Sequence, residues 1–166
     1  NTLKGHELML ETEKQTAVVL AAGVTPTDIS MEFDGAYLVV GSDNKVYRYA
    51  SGAFTAVDTP PQPPTDMIIF EQVGVEYAVV AYSNGTTSGM MYSTDGITFV
   101  DVSDNGTFLA IFDNKLIVYD DTPGNNNIRS TASITSPSFT NVVVNTQGTA
   151  RSMTIFRDQE GQPSIW

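Results

Sequence analysis

Apolar residues occur along this chain in short runs separated by turn-forming residues. Three runs stand out: Ala36–Val40, Glu76–Val80 and Thr107–Ile111, each preceded by Gly, Asp or Asn nearby. Their length and β-branched content predict strands. The first run continues through Ser42–Tyr47 and the third through Asp113–Ile117, so Asp-Asn-Lys is expected to reverse the chain at the same place in both units. The second run has a wider loop, Tyr82–Gly89, before Met90–Tyr92. Residues Glu7–Leu20 could form a helix, but Thr16, Val18 and Val19 favour a strand there.

A repeat lies beneath this pattern. Pro26-Thr27-Asp28-Ile29 recurs as Pro64-Thr65-Asp66-Met67, 38 residues on. Tyr47, Phe54 and Val57 recur as Tyr92, Phe99 and Val102, 45 residues on, and Phe139 and Val142 follow after 40 more. Four short strands per unit at this period match a propeller blade, whose apolar faces are hidden only by stacking on neighbours. The expected fold is therefore all-β: one propeller-like region of four-stranded antiparallel blades. Its units are 24–60, 61–103 and 104–145, with partial flanks at 1–23 and 146–166. About three and a half blades form an arc rather than a closed ring. A β-sandwich is the competing architecture. The run Thr59–Thr65, with four prolines, falls between units, where missing amide donors do not interrupt a ladder.

Composition narrows the function classes. The 166 residues suit a single domain, and the start at Asn1 reads as that of a fragment or processed product. No apolar run is long enough for a membrane span. The net charge is −11, and the basic residues are scattered from Lys4 to Arg157, so sequence-specific nucleic-acid binding is not expected. The absence of cysteine removes disulfides, thiolate nucleophiles and cysteine-ligated metals.

The stretch Ser93-Thr-Asp-Gly-Ile-Thr-Phe99 falls between the last two strands of a unit. Asp95-Gly96 is a turn signal, and the Ser, Asp and Thr side chains can hydrogen-bond the turn's own backbone. Phe99 is then placed to enter the core. Through Ser93, Asp95, Gly96, Thr98 and Phe99 the segment resembles the Asp-box hairpin of sialidase-like and other β-propellers, with one position contracted and Phe in place of Trp. In those families the box is structural and faces away from the active centre. The resemblance thus implies a propeller and nothing catalytic. Tyr37–Tyr49 also looks like the blades of the nozzle proteins that end short-tailed phage tails. That likeness implies an oligomeric assembly of a virion.

Candidate chemistry is sparse. Glycoside hydrolysis requires two carboxylates at a set separation, and Asp34, Asp66, Asp113 and Glu76 lie near inner-strand ends. His6 has no companions at zinc-ligand spacing. Asp120, Asp121, Asn125 and Asn127 offer hard oxygens for a calcium loop, with Asp101, Asp104 and Asn105 as a weaker group. Apart from calcium, no cofactor is expected. Tyr82, Tyr92, Tyr119 and Trp166 are candidates for stacking on a sugar. Asn84-Gly-Thr86 and Asn105-Gly-Thr107 satisfy the glycosylation rule and are expected to mark exposed loops. The expected function is a non-catalytic structural or assembly module of a virion or cell surface, acting through contacts with other protein subunits or copies of itself. A carbohydrate- or protein-ligand-binding propeller is the alternative, and a glycoside hydrolase the third reading.

Overall fold

A computed structural model describes residues 20–102, 104–123, 127–143, 155–157 and 163–165. The described residues form strands and turns without helix, in three four-stranded antiparallel sheets. The first sheet contains β1 (Pro26–Phe33), β2 (Ala36–Gly41), β3 (Val46–Ala50) and β4 (Ala53–Asp58). The second contains β5 (Pro64–Gln72), β6 (Val75–Ser83), β7 (Ser88–Ser93) and β8 (Val100–Val102). The third contains β9 (Phe108–Phe112), β10 (Lys115–Asp120), β11 (Asn127–Thr131) and β12 (Thr140–Val143). A further hairpin pairs β13 (Ile155–Arg157) with β14 (Pro163–Ile165). Within each sheet every strand pairs only with its neighbours in sequence.

The stacking follows from the period-2 alternation of β6. Ala78, Val80 and Tyr82 point to the first sheet, where they pack with Phe33, Leu38, Val40 and Val46. Tyr77, Val79 and Ala81 point the other way and meet Leu109, Leu116 and Val118 of the third sheet. The middle sheet is therefore buried on both faces, as a blade between two blades is. A two-sheet sandwich has one interior; here there is one on each side of β6. Adjacent sheets approach most closely through their first strands, β1 to β5, β5 to β9 and β9 to β13. The fold is an all-β, propeller-like arc.

One part of the expected alignment is corrected. Ala36–Val40 and Glu76–Val80 fall on second strands, but the Thr107–Ile111 run supplies β9, a first strand. The structural counterpart of β2 and β6 is β10. Asp43-Asn44 turns β2 into β3, whereas Asp113-Asn114 turns β9 into β10. The same tripeptide serves different hairpins because tight reversal demands turn-compatible residues and nothing more specific.

Four hairpins turn through two consecutive residues at positive φ: Asp34-Gly35, Ser51-Gly52, Val73-Gly74 and Asp113-Asn114. This is the type I′ geometry, whose twist matches the strands. Val73 is the exception in chemistry. A β-branched residue at φ 51° is strained, and at 94% exposure it gains no packing in return. Val73→Asn is expected to stabilise the chain by about 0.5–1 kcal/mol. A chemical-denaturation midpoint unchanged or lowered by the substitution contradicts the strain argument.

Candidate functional site

The Ser93–Phe99 hairpin is a self-contained hydrogen-bonding unit. Ser93 Oγ accepts from the backbone N–H of Gly96 at 2.9 Å and donates to Asp95 Oδ1, also at 2.9 Å. Asp95 Oδ1 in turn accepts the N–H groups of Ile97 and Thr98, each at 2.8 Å. Gly96 adopts φ +65° and lies against Phe33, Leu38 and Arg48 of the first sheet, and Phe99 packs into the same seam. Ser93 is buried while Asp95 is exposed. The hairpin thus closes its own turn and docks its sheet on the preceding one.

The backbone N–H groups of Thr98 and Ile97, with the Ser93 hydroxyl, hold the Asp95 carboxyl below the usual range. A lowered folded-state pKa contributes stability above the unfolded value of 3.8 that is lost as pH falls through the folded value. Thermal melts of Asp95→Asn at neutral pH are expected to show a small loss, about 1 kcal/mol or less, as for an exposed cap. As pH falls below the unfolded value of 3.8, the variant is expected to lose less stability than the parent chain. Parallel acid profiles would refute this role.

A second polar cluster joins the middle and third sheets. Arg129, on β11, bonds Asp104 Oδ1 at 2.5 Å and the Asn105 carbonyl at 2.7 Å, with Asp120 Oδ2 at 3.7 Å. Its guanidinium also lies 5.3 Å from the centre of the Phe139 ring. Asp120 Oδ1 accepts from Ser88 across the sheet boundary and from the Thr122 amide and hydroxyl. Asp121 Oδ1 accepts from the hydroxyls of Ser83 and Thr107. Asp120 and Asp121 are the two aspartates of the expected calcium loop. Both are engaged by hydroxyls, and Asp120 also by a backbone amide and the nearby Arg129 cation. Asn125 lies outside the described residues, and Asn127 pairs with Asp120 in the β10–β11 ladder. No group of three or more His, Cys, Asp or Glu among the described residues is placed to share a metal ion.

Two of the candidates for sugar stacking are buried and one is half-buried. Tyr82 is buried, with its ring over Gly89 on the neighbouring strand, and burial together with Asp101 pushes its hydroxyl pKa up. Tyr119 is buried and stacks on Phe108, with centroids 6.3 Å apart. Tyr92 is half-buried and meets Tyr77 edge-on at 5.6 Å. Tyr82 fills the seam between the first and middle sheets, whereas Tyr119 packs within its own sheet against Phe108, Ala110, Ile117 and Ile128. Trp166 and His6 lie outside the described residues.

The four carboxylates considered for glycoside hydrolysis do not all converge; only Asp34 and Glu76 share a groove. Asp66 joins two first strands: it accepts the N–H groups of Met67 and Leu109, each at 2.8 Å, and burial pushes its pKa up against those two bonds. Asp34 and Glu76 instead line a groove of about 550 Å³ with Glu71, Phe33 and Val75 at the hairpin end of the sheets. Asp113 is an exposed turn residue on β9–β10. Of the two glycosylation triplets, Asn84–Thr86 is an exposed loop. Thr107 of the second is buried, contrary to the expectation of exposure, because its hydroxyl faces Asp121.

Arg129, Asp66, Thr107 and Ser88 are the polar residues whose roles sequence reading missed. For Arg129 a signal was present, since it is the sole Lys or Arg between positions 116 and 150 and follows two adjacent aspartates. No protein-family model and no curated protein matches the chain.

Proposed function

We propose that this chain is a non-catalytic structural module of a larger assembly, virion or cell surface, that works through protein–protein contacts. One observation carries the reading. The polar side chains of the Ser93–Phe99 hairpin and of the cluster around Arg129, namely Ser93, Asp95, Asp120, Asp121 and Arg129, hold turns closed or join one sheet to the next. The apolar stacking pattern meanwhile continues to the outer face of the first sheet. There Val39 and Tyr47 are buried against Leu20, while Tyr37, on the same face, is 53% exposed. On the second sheet the face that corresponds is covered by the first. Rigid stacking with a face left part-covered suits an element that continues into neighbouring protein.

The test joins sedimentation velocity over a range of concentrations to glycan-array binding and glycoside-hydrolysis assays on the same preparation. Concentration-dependent association without saturable glycan binding or turnover is the expected result. Saturable binding of a glycan, or hydrolysis abolished by Glu76→Gln, would overturn the reading.

A further inference from the structure

We propose that the outer edge of β4 pairs with β4 of a second copy, joining two first sheets into one continuous eight-stranded sheet. The inference rests on the assembly reading above and names its partner and contact. Each four-stranded sheet ends in a last strand with no further strand beside it among the described residues: β4, β8 and β12. An open edge presents unpaired N–H and C=O groups and is ordinarily blunted by shortness, charge, proline or a bulge. Two of these edges are blunted along their whole length, and β4 is interrupted only near its end, by the irregularity at Val57. β8 has three residues with Asp101 at its centre, and β12 has four. β4 has six, and Ala53–Val57 carries neither charge nor proline. Its pairing with β3 is regular from Ala53 to Ala56, and the irregularity comes only beyond, at Val57. Ala53, Thr55 and Ala56 are exposed.

The sequence of this edge suits itself as a partner. Antiparallel pairing about a two-fold axis at Thr55, within the regular stretch Ala53–Ala56, sets Thr55 opposite itself and Phe54 opposite Ala56, a large residue facing a small one. Asp58 lies beyond the irregularity at Val57, outside this pairing. A two-fold contact of this kind is self-complementary and closes at two copies. The net charge of −11 opposes the approach of two chains, so association strengthens as salt screens it.

The symmetry provides the test. Thr55→Lys or Thr55→Glu places two like charges directly across the axis, where side chains are about 5 Å apart. Thr55 is exposed, so each variant is expected to keep the circular-dichroism spectrum and melting temperature of the parent. Sedimentation equilibrium of the full chain is expected to show dimers that tighten between about 0.05 and about 0.5 M salt. Each variant alone is expected to weaken dimerisation at least tenfold, and an equimolar mixture of the two to restore it as a heterodimer. A monomeric parent chain overturns the proposal. So does an unrestored mixture, or association equal in all three proteins. In the last case the assembly reading stands and only the β4 contact falls, whereas saturable glycan binding removes the assembly reading itself.

Discussion

Val79→Asp and Val80→Asp are both expected to abolish folding, although the two residues are neighbours on one strand. Both valines are fully buried, Val79 toward the third sheet and Val80 toward the first. A carboxylate at either place has neither water nor a cation to meet it, a loss of about 4 kcal/mol or more against a typical total of about 5–15. In a sheet with one wet face the effect alternates, so one of the two aspartates is tolerated. Val75→Asp, near the exposed start of the same strand, is expected to change stability by less than about 0.5 kcal/mol. Soluble yield and urea-unfolding midpoints of the three variants decide the matter. A folded Val79→Asp or Val80→Asp protein would mean that the middle sheet does not lie between two others.

Arg129→Met is expected to destabilise the chain by about 3 kcal/mol, the lower part of the range for breaking a buried pair, since Arg129 and Asp104 retain some contact with water. The substitution keeps apolar bulk beside Phe139 and removes the cation. Asp120, whose side chain is 3% exposed, loses its nearby positive charge, and the Asn105 carbonyl loses its donor. Arg129→Lys is expected to recover only part of the loss, because an ammonium does not reproduce the planar fork that reaches Asp104 and Asn105 together. Urea melts with unchanged slope supply the comparison. Equal stability of parent and Arg129→Met would show the cluster to be energetically idle.

The legibility of this fold in its sequence was uneven for physical reasons. Last strands were visible because Phe54 and Val57, Phe99 and Val102, and Phe139 and Val142 repeat one spacing, and all but the exposed Val142 pack against a core. The Ser93–Phe99 hairpin was visible because its hydrogen bonds join residues two or three apart. Asp113-Asn114 misled by one strand, since a tight turn records the reversal and not which strands it joins. The partners of Asp120 and Asp121 were hidden because Ser88 and Ser83 lie 32 and 38 residues away. A loop rich in Asp and Asn reads the same whether it holds a metal, faces water or folds against hydroxyls. Tyr82 and Tyr119 posed the same problem, as an aromatic ring suits a packed interior or a sugar equally well.

The pairing of each strand solely with its sequence neighbours bears on how the molecule acquires order. Nearly every ladder is a hairpin, closed over a short stretch of chain, so the entropic barrier to any single sheet is small. Ordering can begin at any of these reversals and spread outward, with β6 passing it in both directions through its alternate side chains. An architecture of this kind can be lengthened by one more unit without rerouting what already exists.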